Sequence, residues 1–203
     1  MRLLLDTDAF CKLAICGVLV DAARVLGSGL AECGRLPALP HMLRRGRLRK
    51  AFGEVACDAL IPFTGEVPVV VQASDAWLDR LAHIPAIDPG EAQIFAAAAE
   101  AGLTVVSGDK RALRALKDVD GFPEALAGRI VVLEAILIAL CCHLGAGELC
   151  QRVEPLTRLD TVVQVCFSPG TADPVGALWS YYRSLVTELQ PLVLWDPSAG
   201  GGT

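Results

Sequence analysis

The sequence predicts an α/β fold with three layers, α/β/α, around a central and mainly parallel sheet, followed by a helical C-terminal extension. Three observations predict it. Short apolar runs at residues 2–5, 103–106 and 130–133 have the length of buried strands. The stretches between them carry apolar residues at helical spacing, and Gly, Pro or a carboxylate marks the junctions. Strands alternating with helices favour a parallel sheet with right-handed crossovers and helices on both faces.

Taken in order, residues 2–5 form a first strand that ends in Asp6-Thr7-Asp8, which places carboxylates at the strand's C-terminal end, where α/β folds put their chemistry. Residues 10–26 read as a helix broken by Gly27, Ser28 and Gly29. A second helical segment over 42–60 carries Arg44, Arg45, Arg47, Arg49 and Lys50. Residues 67–71 are β-branched and read as a strand or an extended connection, after which Ser74 is placed to cap a helix over 75–82. The Pro89-Gly90 turn opens an Ala-rich helix over 91–101, Gly102 closes it, and 103–106 is a buried strand. Ser107-Gly108-Asp109-Lys110 follows at that strand's end, then a helix over about 111–117 and a last strand at 130–133. This gives an α/β domain at 1–133 and a mostly helical extension at 134–195, with loops around Ser168-Pro169-Gly170 and Asp173-Pro174. A Pro/Ser/Gly-rich tail at 196–203 is expected to be disordered.

A chain of 203 residues buries roughly 70% of its unfolded surface, enough for one sizeable core. Apolar residues at 53%, charged residues at 20% and a mean hydropathy of +0.48 exclude an intrinsically disordered chain. No apolar stretch reaches the ~20 residues of a spanning helix, so no membrane partner is expected. No cationic leader precedes an apolar segment, and the expected location is cytoplasmic. The eight cysteines form no CxxC pair and read as reduced, buried thiols, so a metal must be held by oxygen. The net charge of −5 argues against a generic nucleic-acid binder and leaves a local basic patch as the route to such a ligand.

Three carboxylates fall at element ends that a doubly wound sheet brings together: Asp6, Glu91 and Asp109. Clustered carboxylates raise one another's pKa, so they call for a bound Mg2+ or Mn2+ or a shared proton. Helix capping and the helix dipole account for an Asp or Glu at each place taken singly. The three in this order and context point to a metal site. Asp8 is a fourth candidate ligand, and Thr7 reads as a cap.

These residues resemble the PIN domains, many of which are metal-dependent ribonucleases and some of which are the toxins of bacterial toxin/antitoxin pairs. The resemblance rests on Leu3-Leu4-Leu5-Asp6-Thr7-Asp8, on Pro89-Gly90-Glu91-Ala92 through Ala101-Gly102, and on Val105-Val106-Ser107-Gly108-Asp109-Lys110. It covers residues 2–133 and is nearest a branch of uncharacterised bacterial and archaeal PIN-like proteins. It implies Asp6, Glu91 and Asp109 as catalytic acids and metal ligands, Mg2+ or Mn2+ as cofactor, RNA as substrate, and an antitoxin-like protein or a second copy as partner. One departure stands out. PIN domains carry a further acid early in their second block, where this chain reads Leu39-Pro40-His41-Met42-Leu43-Arg44-Arg45. His41 or Met42 takes that place, or Asp8, Glu54 or Asp88 substitutes from elsewhere.

Arg44, Arg45, Lys110 and Arg111 are the candidates to hold a phosphate backbone, although a solvated helix face also explains the basic run. His41, His83 and His143 are scattered, and Trp179, Tyr181 and Tyr182 read as core or interface packing. Two other functions fit parts of the chain. Asp6-Thr7-Asp8 suits a haloacid-dehalogenase-like phosphohydrolase, but Phe10 stands where that family wants Thr or Val, and a late acidic pair is missing. A PIN-like fold with an incomplete site, binding nucleic acid or a protein without cutting, also accounts for the absent second-block acid.

Overall fold

The computed structural model describes residues 1–168 and 170–198. Its sheet has four parallel strands, β1 (Leu3–Leu5), β2 (Cys33–Arg35), β3 (Thr104–Val106) and β4 (Ile130–Val131), in the order β2-β1-β3-β4. Leu3 to Leu5 lie opposite Cys33 to Arg35 on one side and Thr104 to Val106 on the other. Every residue of β1 is buried, which is why that strand is three leucines rather than an alternating pattern. Val69 pairs with Arg35 at one edge and Leu194 with Ile130 at the other, both in parallel sense, so each edge is covered by extended chain. The 67–71 segment is thus a connection touching the sheet at one residue.

Among the described residues thirteen α-helices surround the sheet. The first two, α1 (Thr7–Ile15) and α2 (Leu19–Val25), divide the stretch expected as one helix at Gly17. Next come α3 (Leu39–Arg44), α4 (Arg47–Phe52) and α5 (Glu54–Leu60), in place of one helix over 42–60. The breaks are Gly46 and Gly53, with φ of +102° and +86°, conformations essentially closed to residues with a Cβ. After α6 (Asp75–Leu78), shorter than expected, α7 (Pro89–Ala101) is the best-specified helix: Pro89 occupies its first turn and Asp88 caps it. Then follow α8 (Lys110–Leu116), α9 (Phe122–Ala125), α10 (Leu133–Leu144), α11 (Ala146–Arg152), α12 (Thr161–Cys166) and α13 (Pro174–Glu188). The strand at Cys33–Arg35 was not anticipated, because Cys-Gly-Arg carries neither β-branching nor an apolar run.

The connection from β1 to β2 runs one way across the sheet and those to β3 and β4 run the other, so right-handed crossovers put their helices on opposite faces. Packing agrees: α7 lies on β1 and β3 and touches α6 and α9, whereas α2 packs with α1 and α10. This packing is compatible with a layered α/β/α arrangement. The buried apolar cluster is continuous from Leu3 to Leu194 and takes in residues 135–140 of α10, so the C-terminal region shares the core of the sheet. The chain also returns to β4: Gly128 N–H donates to Val193 O and Trp195 N–H to Ile130 O, both at 2.8 Å. Of the tail expected to be disordered, Asp196 accepts from Ser198 N–H at 2.8 Å, and 199–203 lie outside the described residues. Pro169, within an expected loop, lies outside them too. Among the described residues no helix is long and apolar enough to cross a membrane.

Candidate active site

The order β2-β1-β3-β4 makes the point between β1 and β3 the place where the chain reverses its direction of winding, and a crevice opens there beyond the strands' C-terminal ends. Asp6 N–H donates to Val106 O at 3.0 Å, so the ladder runs to its end with Asp6 set beside the β3–α8 loop. A cleft of about 870 Å³ occupies this position. Its acidic lining is Asp6, Asp8, Asp88, Glu91 and Asp109, and Arg45, Arg47 and Lys110 contribute to its wall. Leu36, Met42, Leu48 and Phe52 supply an apolar side.

The acids differ in what else holds them. Asp109 Oδ1 caps α8, accepting from Arg111 N–H (2.8 Å) and Ala112 N–H (3.1 Å). Asp88 Oδ1 caps α7 in the same way, and Glu91 Oε2 completes the reciprocal box by accepting from Asp88 N–H at 2.7 Å. Asp8 Oδ2 meets Lys12 Nζ at 2.8 Å. Asp6 has no such employment. It is 8% exposed and sits at the N-terminus of α1 without a side-chain cap bond, and among the described residues no cation pairs with it. Burial first, then the charge of Asp8, with smaller pushes from Asp88 and Asp109, raises the Asp6 pKa to about 7 against the lowering effect of the Thr7 backbone N–H. Burial also leads for Glu91, which Asp88, Asp109 and Asp6 help raise to about 7 against the Asp88 N–H bond.

Thr7 Oγ1, in the cleft's lining, and Ser107 Oγ, two residues before Asp109, are buried and have no hydrogen-bond partner among the described residues, so Thr7 is not a cap. Hard oxygen donors, raised carboxylate pKa values and two unpartnered hydroxyls are the chemistry that suits Mg2+ or Mn2+. Among the described residues, however, no three His, Cys, Asp or Glu side chains form a group set to hold an ion as they stand. Both observations hold together: the donor set fits, but one oxygen each of Asp88, Glu91 and Asp109 is engaged with a helix terminus.

The structure brings Asp6, Asp8, Glu91, Asp109, Lys110 and Arg45 to one cleft. Arg44 is exposed and outside its lining, and Arg111 points its guanidinium toward Asp109 Oδ2 at 3.5 Å. Of the proposed stand-ins for the second-block acid, Met42 and Asp88 line the cleft, whereas Glu54 pairs with Arg49 at 3.6 Å. Three contributors, Glu134, Lys12 and Asp160, escaped the sequence reading, whereas Arg47 belongs to the basic run that it offered as a phosphate cradle. Arg47 reaches Asp88 Oδ2 at 3.4 Å across the mouth. Lys110 Nζ lies 2.7 Å from Oε1 of the fully buried Glu134, outside hydrogen-bonding geometry. Lys12 is buried and bonded to Asp160 Oδ2 at 2.8 Å as well as to Asp8. Burial depresses its pKa, and Asp8 and Asp160 outweigh that, so the ammonium stays charged. The spacing of Asp8 and Lys12, one helical turn, is legible in the sequence; the partners Asp160 and Glu134 are not.

Among the described residues no cysteine lines the cleft, and of the thiols expected to be buried Cys142 is exposed and Cys141 and Cys150 are half-buried. Among the described residues all eight thiols are free, and burial pushes Cys16 up to about 12 and Cys33 to about 11, away from the thiolate. No family model, curated protein or solved structure matches this chain.

Proposed function

We propose that this chain is a PIN-like endoribonuclease that depends on Mg2+ or Mn2+. The observation that carries the reading is Asp6: a buried carboxylate with neither cap bond nor cation, among four other acids at the topological switch point of a parallel sheet. Such a group costs stability unless a cation answers it, so its retention in the cleft is best explained by one. Asp6, Glu91 and Asp109 would hold the ion, with Asp8 beside them. Once bound, it would supply charge neutralisation at a phosphodiester and a water of lowered pKa.

The chain's own residues supply the rest. Arg45, Arg47 and Lys110 in the lining place cations beside the acids, where a phosphate backbone would lie. Glu134 Oε1 lies 2.7 Å from Lys110 Nζ and restrains that ammonium instead of leaving it to sample solvent. Asp109 and Glu91 are oriented by the caps they give α8 and α7; the caps leave Glu91 its second oxygen, and Asp109 Oδ2 faces the Arg111 guanidinium at 3.5 Å. The acidic net charge is compatible with this because the basic residues are local.

A second reading has one specific observation behind it. The second-block acid is absent from the sequence, and among the described residues no three-ligand group stands ready in the cleft, which favours a PIN-like module that binds RNA or a protein partner without cutting. One experiment separates the two. A labelled mixed RNA pool is incubated with the chain in Mn2+ or Mg2+, against EDTA and against Asp6→Asn purified identically. Cleavage lost in both controls is the expected result. RNA left intact by the wild type, or cut equally by the variant, removes the nuclease reading and leaves the binding module.

A further inference from the structure

Lys12 is a long, flexible side chain that is 8% exposed, and it lies between two carboxylates from opposite ends of the chain. Its Nζ is 2.8 Å from Asp8 Oδ2, on the same helix, and 2.8 Å from Asp160 Oδ2, 148 residues away. Asp160 is itself rigid: its Oδ1 accepts from Val162 N–H at 3.0 Å and Val163 N–H at 3.1 Å, which caps α12. Asp8 is more open, its side chain 43% exposed, but it too is placed. A Cβ built on Gly108 would stand 3.2 Å from Asp8 Oδ2, so that carboxylate lies against the loop that carries Asp109.

An exposed pair one helical turn apart is worth little, but this ammonium is buried and shared. Asp160 draws part of its charge away from Asp8, and the capped α12 fixes where it stands. With Asp160 neutral, the whole charge would fall on Asp8, competing with any cation for that carboxylate. We infer that Lys12 is a positioning residue for Asp8, and that Asp160 makes the C-terminal helix α12 a working part of the acidic cleft. This rests on the metal-cleft reading given under Proposed function. It assigns a role to the region after residue 133: it completes the site.

The test is a double-mutant cycle on the full-length chain, read as the Kd for Mn2+ from the electron paramagnetic resonance signal of the free ion, with circular dichroism melts on every variant. Asp160→Asn should weaken Mn2+ binding about tenfold or more, the usual scale for disturbing a group that orients a ligand. The same substitution made on Asp8→Asn should cause no further loss, because its effect passes through Asp8. Lys12→Arg, which keeps a cation between the carboxylates, should retain most of the wild-type affinity. A purely structural ion pair predicts otherwise: no effect of Asp160→Asn on Kd, or an equal effect in both backgrounds, and either result overturns the inference. If Asp160→Asn does not fold, Lys12→Gln is read by the same criterion, that its effect on Kd vanish when residue 8 is Asn. A wild type that binds no Mn2+ overturns the metal reading and the inference with it, a pattern distinct from binding that ignores residue 160.

Discussion

Asp6 is the residue at which sequence and structure meet most directly. An Asp at the end of an all-leucine strand is readable from six letters, because a buried parallel strand must end where its backbone leaves the sheet. What six letters do not reveal is that this carboxylate is left without a cap bond, whereas Asp109 and Glu91 both serve helix ends as well as the cleft. The consequence is measurable in metal-free protein. The folded chain holds Asp6 and Glu91 protonated up to about pH 7, and the unfolded chain ionises them in the ordinary carboxylate range. The folded state therefore binds more protons between those limits, so the stability this pair contributes is present below the unfolded range and lost as pH rises through about 7. Asp6→Asn removes the ionisation from the pair. In EDTA it should stabilise the chain at pH 8, on the order of 2–4 kcal/mol or roughly 5–10 °C in Tm, and give no gain near pH 4. Calorimetry at the two pH values decides it; a gain of the same size at both would mean that packing, not charge, is responsible.

At the scale of elements, legibility followed the strength of the local signal. Helix α7 was readable because a Pro in the first turn, a capping box and a run of alanines all agree. The stretch 42–60 was not, since its arginines, lysine and leucines favour helix throughout and only two glycines interrupt it. Those glycines decide the shape of the cleft: they cut out α4 as a separate turn-and-a-half carrying Arg47, Leu48, Ala51 and Phe52 on the lining. Gly53 has φ +86° and ψ 156°, and a Cβ there would meet nothing within 4 Å, so any penalty for adding one is purely that of the backbone. Gly53→Ala should then cost roughly 1–3 kcal/mol in urea unfolding, or relax by straightening α4 into α5. A neutral substitution with unchanged helicity would show that the break at residue 53 is not set by glycine.

At the scale of the molecule, the boundary expected near residue 133 marks a change of composition but not an edge of the core. Apolar periodicity identified the later region as helical; it could not show that residues 135–140 of α10 are buried in the same cluster as β1, or that Leu194 returns to pair with Ile130. Charge ties the halves together further. Lys12 and Lys110 are both on the N-terminal side, and each has a buried partner, Asp160 or Glu134, on the other. A chain ending at residue 133 would part Lys12 and Lys110 from Asp160 and Glu134 and expose the apolar faces of α2 and β4, a loss of about 1.5–3 kcal/mol for each large side chain uncovered and several times that in sum. That approaches the whole stability of an ordinary domain. Residues 1–133 expressed alone should therefore fail to unfold cooperatively in urea and should bind a hydrophobic dye, whereas co-expression with residues 134–203 as a separate chain should restore a cooperative transition. A sharp two-state unfolding of residues 1–133 by themselves would show instead that the sheet and its acidic cleft stand independently of the helices that follow.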